Sequence, residues 1–217
     1  MSLPWARIFG SLRSHLGSSP LPSVSRIAST NTTPFHILVS TMISLRTKDE
    51  VTLAASLRLF SVAQTPAEIC ALSADRIAEL IYPAGFYRTK AASIRETSRL
   101  IVKQHAGQVP ADLDALVALP GVGRKTANLV LGLGFGIEAI CVDTHVHRIA
   151  NRCGWVTSRN PDETERKLQE ILPRAHWIEI NELLVAYGQK VCTPISPRCS
   201  SCVIARQCRR IGVERSR

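Results

Sequence analysis

The sequence predicts an all-α protein, and three features carry that prediction. Apolar residues recur at helical spacing through most of residues 34–190, no segment alternates β-branched and polar residues between hairpin turns, and two predicted helices meet at a Gly-x-Gly joint. With 217 residues, 45% of them hydrophobic, the chain can bury a real core, so disorder is excluded for most of its length. That length suits one large domain or two small ones.

Trp5, Ile8, Phe9, Leu12 and Leu16 form one stripe of a helix over residues 5–16. No acid precedes Asp49 and the early residues are rich in Ser and Arg, a composition faintly like a transit peptide. The helical stripe, with no cleavage-like signal after it, favours a packed helix and then a Ser/Pro-rich connection. Phe35–Ile43 and Val51–Phe60 are the next two helices. Thr65-Pro66-Ala67-Glu68 supplies the cap, first-turn proline and acid of a helix start. Ser73 opens another helix, ending near Tyr82-Pro83. A long helix over 87–104 puts Ala91, Ile94, Ser98, Ile101 and Val102 on one stripe and stops at His105-Ala106-Gly107. Asp112 or Asp114 caps a short helix before Leu119-Pro120. Further helices cover residues 124–135 and 145–152, one opens at Pro161, and the last covers 179–188.

Lys and Arg number 27 against 17 acids, a net charge of +10, which calls for an anionic partner: DNA, RNA or a lipid surface. The excess is spread over both halves, so a polyanion should contact both. At 5% aromatic residues, a broad stacking platform for single strands is excluded. No run approaches the roughly 18–20 apolar residues of a membrane span. The longest, Leu129–Val142, is broken by Gly132, Gly134, Gly136 and Glu138. A membrane partner is therefore not expected, and cytoplasmic residence is, nucleoid-associated in a bacterium.

Three motifs carry chemistry. Leu119-Pro120-Gly121-Val122-Gly123-Arg124-Lys125-Thr126 joins two helices through a tight turn. Its glycines permit unusual backbone conformations and close approach of a ligand, and the helix that follows offers free N–H groups to a phosphate. This is a helix-hairpin-helix signature; no strand precedes it and the spacing is not that of a P-loop. Asp143 begins the run Asp143-Thr144-His145-Val146-His147-Arg148, where it could be an ordinary N-cap. His145 and His147, two apart on a helix, point to different faces and are not a metal pair. Four of the seven cysteines fall together as Cys192-x6-Cys199-x2-Cys202-x5-Cys208, a set that suits zinc or an iron–sulfur cluster. Cys70, Cys141 and Cys153 lie singly among apolar neighbours and read as buried thiols.

Together, Lys125 in the hairpin, Asp143 and the four-cysteine tail resemble endonuclease III, a DNA glycosylase with abasic-site lyase activity, over about Pro34 to Cys208. The resemblance implies a two-domain helix-hairpin-helix glycosylase fold: a six-helix barrel over 27–137, an iron–sulfur domain from 1–26 and 138–217, and a DNA cleft between them. It implies a base-excision-repair enzyme that removes oxidised pyrimidines from duplex DNA and nicks the strand by β-elimination. Lys125 takes the place of the amine that forms a Schiff base with the sugar, a step that a hydroxyl or water could not perform. Asp143 takes that of the carboxylate that helps deprotonate it and stabilises positive charge on the sugar. Cys192, Cys199, Cys202 and Cys208 take those of the [4Fe–4S] ligands. A base inside a duplex must be flipped out before it can be cut, and inserted side chains fill the gap. Phe86 occupies the family's apolar wedge position, and Arg46 stands where many members have Gln. Gly121, Gly123 and Arg124 of the hairpin, with His145 and Arg148, complete the expected DNA contacts. Adenine glycosylases of the same fold carry a catalytic Glu where this chain has Thr41 and lack the hairpin lysine, and thymine-mismatch glycosylases lack that lysine too. The contrasting reading is a non-catalytic helix-hairpin-helix DNA-binding module with a redox cluster. The resemblance implies that the partner is duplex DNA with a damaged base or abasic site, bound by a monomer.

Overall fold

The computed structural model describes residues 3–17, 21–30 and 32–217, and these hold helices and connections with no strand. Among the described residues twelve α-helices follow in order: α1 Trp5–Leu16, α2 Ser23–Ala28, α3 Pro34–Ser44, α4 Asp49–Phe60, α5 Pro66–Ala71, α6 Ala74–Ile81, α7 Tyr87–Gln104, α8 Leu113–Val117, α9 Arg124–Phe135, α10 Thr144–Cys153, α11 Pro161–Ile171 and α12 Glu179–Lys190. Short 3₁₀ turns cover Arg174–His176 and Ala205–Gln207. The chain divides into two compact units, Pro22–Ile137 and Met1–Leu21 with Glu138–Arg217. A division between residues 26 and 27 would cut α2, which packs on α3 and α4.

The unit Pro22–Ile137 is built around α3. Phe35, Ile37, Leu38, Val39, Met42 and Ile43 are all buried, and so are Ser40 and Thr41. A helix apolar on nearly every side must be enclosed, and α2, α4, α7 and α9 enclose it. Thr33 caps α3 in a reciprocal box with His36, with Pro34 in the first turn. Helix α9 approaches α3 closely because Gly134 faces Pro34; a Cβ there would lie 3.2 Å from the proline Cβ. The described residues of this unit hold eight helical segments, of which α2, α5 and α8 are short pieces of six, six and five residues. Of these, α2 falls where only a Ser/Pro-rich connection is legible in the sequence.

In the other unit, α1 buries Trp5, Ile8, Phe9 and Leu12, as its stripe predicts. Phe9 stacks on His176 at 4.0 Å and Trp5 meets the edge of Trp155 at 5.2 Å. The Trp5 indole N–H donates to the Ile171 carbonyl at 2.9 Å, so its polar atom is satisfied where its ring is buried. Helix α12 packs on α1 and α10, and α11 packs on α10.

Candidate active site

In the unit Pro22–Ile137 the helix-hairpin-helix joins α8 to α9. Asp112 is the cap of α8, its side chain accepting from the Ala115 N–H at 2.9 Å. The two hairpin glycines do different work. Gly121 has φ +76, and a Cβ would sit 3.1 Å from the Ser93 Cβ and 3.3 Å from the Met42 Cε. Its freedom is therefore needed to make the turn. Thr97 holds the same turn, its hydroxyl donating to the Pro120 carbonyl at 2.8 Å. Gly123 is the N-cap of α9 with φ −93, open to any residue, and a Cβ there would meet nothing within 4 Å. The fold gives Gly123 no steric reason to be glycine. Gly121→Ala is thus expected to cost about 1–2 kcal/mol of stability through the left-handed backbone alone. Gly123→Ala should cost under about 1 kcal/mol yet weaken binding of duplex DNA about tenfold. Thermal melting and a DNA titration of the two variants separate these roles. Arg124 and Lys125 follow in the first turn of α9, both half-buried.

Two loops of the same unit carry the expected inserting residues. Arg46, just past the end of α3, and Phe86, just before α7, both have left-handed backbones, φ 52 and φ 57. Phe86 is 63% exposed, which rules out a core-packing role. The Arg46 guanidinium lies over the Phe86 ring, 5.6 Å from its centroid, a cation–π distance.

In the other unit Asp143 caps α10, its Oδ1 accepting from the backbone N–H groups of His145 and Val146 at 2.9 Å each. The capping role and a role in chemistry do not compete, because the cap fixes where the carboxylate points. His145 and Arg148 turn inward. The Arg148 guanidinium donates to the Cys192 carbonyl at 2.8 Å and the Gly188 carbonyl at 3.1 Å, and lies 3.0 Å from His145 Nδ1. This pins α10 to the end of α12, so Arg148, expected at DNA, is engaged within the protein. A Cβ on Gly188 would stand 2.5 Å from His145 Nδ1; the pair occupies the space that glycine leaves. His147 instead meets the Thr164 hydroxyl at 2.6 Å, so the two histidines take separate partners as their spacing requires.

Cys192, Cys199, Cys202 and Cys208 line one cavity, together with Cys153 and Tyr187. Among the described residues no three His, Cys, Asp or Glu side chains are gathered as a metal-ligand set. The donors around the sulfurs nevertheless suit thiolates. Arg152 Nη1 reaches Cys192 Sγ at 3.3 Å, the Tyr187 hydroxyl reaches Cys202 Sγ at 3.2 Å, and the Arg210 N–H reaches Cys208 Sγ at 3.3 Å. A hydrogen bond from Cys153 lowers the Cys208 thiol to about 6, and the same contact and burial raise that of Cys153. Cys141 and Cys153 are buried as expected, but Cys70 is half-exposed. Cys153, which looks like a lone core thiol in the sequence, is a fifth sulfur at this cavity. Arg152 and Tyr187 were not legible as sulfur partners, since nothing in their local sequence marks them.

Similarity to known proteins fits this fold and these motifs. A profile of the HhH-GPD superfamily of base excision DNA repair proteins matches residues 39–174. Endonuclease III of Thermotoga maritima is 48% identical over 82% of this chain and 83% of its own length; that of Escherichia coli K12 is 38% identical over 81% and 83%. A mouse endonuclease III-like protein is 44% identical, though this chain spans only 59% of its length. The solved structure of a trapped endonuclease III–DNA covalent intermediate superposes with a TM-score of 0.83 at 31% identity, covering 96% of this chain and 97% of that one. The fold and the hairpin thus define a helix-hairpin-helix enzyme of base excision repair. Within that class the chain belongs to the endonuclease III family, and it is a DNA glycosylase and abasic-site lyase.

Proposed function

We propose that Lys125 is the nucleophile of this enzyme and that its substrate is duplex DNA bearing an oxidised pyrimidine or an abasic site. One observation carries the reading: Lys125 lies in the first turn of α9, two residues after an N-cap glycine whose missing side chain opens the helix terminus to a phosphate. The amine attacks the deoxyribose C1′ as the bond from C1′ to the base breaks, and the base leaves with that electron pair and takes up a proton. The adduct loses one amine proton, and as the C1′=N bond forms the C1′–O4′ bond breaks, the ring oxygen leaving with that electron pair and taking up a proton, which gives an open-chain protonated imine. Removal of a C2′ proton then expels the 3′-phosphate by β-elimination, and water releases Lys125 by hydrolysing the imine. Asp143, held by its two cap hydrogen bonds, takes up the amine proton and stabilises the charge that develops on the sugar. Phe86 and Arg46 fill the space left by the flipped nucleotide, Gly121, Gly123 and Arg124 hold the backbone, and His145 supports the Asp143 turn. The enzyme acts as a monomer in the cytoplasm. Borohydride reduction during reaction with an abasic duplex should trap a covalent protein–DNA adduct. Failure to form one would overturn the assignment of Lys125 as the nucleophile.

The residues of the Glu138–Arg217 segment fit a [4Fe–4S] cluster: four cysteines line one cavity and N–H and O–H donors point at three of their sulfurs. Such a cluster, bound by Cys192, Cys199, Cys202 and Cys208, would cross-link the C-terminal loops and place basic residues such as Arg198 and Arg206 against phosphates. Protein purified without air is expected to contain about four iron and four sulfide per chain, and Cys202→Ser to lose most of both. Stoichiometric zinc without iron would overturn the assignment.

A further inference from the structure

The loop after α3 and the loop before α7 are joined by a group that the reaction scheme does not use. Lys90, in the first turn of α7, is only 8% exposed. Its Nζ donates to the Ile43 carbonyl at 2.6 Å, the Leu45 carbonyl at 2.5 Å and the Thr47 hydroxyl at 2.8 Å, which occupies all three ammonium donors. Two of those acceptors are carbonyls at the C-terminal end of α3, where orphan acceptors and the helix dipole both favour a cation. The Thr47 hydroxyl also accepts from the Gly85 N–H at 3.0 Å, so one side chain links Lys90 to the second loop. The loops touch there: a Cβ on Gly85 would stand 2.4 Å from the Arg46 carbonyl oxygen. Between these anchors lie Arg46 and Phe86, each with the left-handed backbone that side-chain-bearing residues adopt at a cost. Burial lowers the lysine to about 8, still above neutral pH, and its three oxygen partners favour the charged form.

We propose that Lys90 is a positioning residue for base excision: its ammonium, through Ile43, Leu45 and Thr47, locks the Arg46 and Phe86 loops into one inserting unit. The inference rests on the proposed insertion of those two side chains. Lys90 touches neither DNA nor the reacting sugar in this scheme. It fixes two strained turns so that duplex binding need not order them, and preorganisation of that kind acts on the flipping step rather than on the amine chemistry.

The test compares two substrates. Excision of an oxidised pyrimidine from a duplex requires insertion; borohydride trapping on a single-stranded abasic oligonucleotide requires only the amine chemistry. Lys90→Met is expected to slow single-turnover duplex excision about tenfold and to leave single-strand trapping within about twofold. Phe86→Ala should show the same split, and the double variant should be no slower than the slower single variant, because both changes disable one unit. Thr47→Val, which removes the shared hydroxyl while leaving the two carbonyl bonds, should reproduce the split at about threefold, and it carries the test if Lys90→Met melts below the assay temperature. Equal loss on both substrates, or effects of Lys90→Met and Phe86→Ala that multiply, would mean that Lys90 merely stabilises the fold. Slow duplex excision by Phe86→Ala with normal rates for Lys90→Met and Thr47→Val overturns the Lys90 inference alone. Normal duplex excision by Phe86→Ala removes the insertion reading and the Lys90 inference with it.

Discussion

Lys125→Gln is expected to abolish the borohydride-trapped adduct and to reduce strand nicking by a factor on the order of 10³ or more, because an amide nitrogen has no basic lone pair with which to form an imine. Glutamine keeps most of the length and the hydrogen-bonding capacity of the side chain at a half-buried position in the first turn of α9. Helix formation changes little between the two residues, so the loss of stability should stay within about 1 kcal/mol. Binding to an abasic duplex should fall only severalfold, since one cation is removed from a chain whose net charge is +10. The measurement is trapping and nicking on the abasic duplex, with a DNA titration and a melting curve on the same preparation. An adduct undiminished in the variant would show that another amine reacts, and Lys125 would then be a phosphate contact of the hairpin.

The parts of this architecture that are legible in the sequence are those written in local patterns. The stripe Trp5, Ile8, Phe9, Leu12 predicts α1 and its buried face, Thr65-Pro66 predicts the start of α5, and Gly121-x-Gly123 predicts the hairpin. The short helix α2 escapes because Ser23–Ala28 offers only Val24 and Ile27 as an apolar face, too few for a period. The site divides on the same line. Lys125, Asp143 and the tail cysteines stand in contiguous motifs. Lys90 is one basic residue among many on α7, and its meaning comes from Ile43, Leu45 and Thr47, more than 40 residues away in sequence. Arg148 has partners that no local pattern reveals: the resemblance places it among the DNA contacts, and the structure adds the Gly188 and Cys192 carbonyls as acceptors of its guanidinium. Cys153 likewise reads as core until the tail folds over it.

Asp143→Asn is the second large expected effect, and the cap geometry makes it a clean test of charge. Asparagine is as good an N-cap as aspartate, and its side-chain oxygen can accept the same two bonds from the His145 and Val146 N–H groups that Asp143 Oδ1 accepts at 2.9 Å. The main local loss is therefore the interaction of the negative charge with the N-terminus of α10, about 0.3–1 kcal/mol. Under the proposed mechanism, base excision by contrast loses both the proton acceptor and the charge that opposes the cation forming on the sugar. Its rate should fall by about 10² or more. Affinity for duplex DNA should hold or rise, because removing a carboxylate lessens repulsion with phosphates. On a preformed abasic site the base has already gone, so the defect in trapping should be smaller than the defect in excision. Asp143→Ala separates the two roles: it should match Asn in the excision rate but melt lower, by about 1 kcal/mol beyond the Asn variant. Single-turnover excision, trapping on an abasic duplex, DNA titration and thermal melting of both variants supply the comparison. If DNA affinity falls in parallel with excision in the Asn variant, Asp143 serves binding and the carboxylate of the reaction must be sought elsewhere.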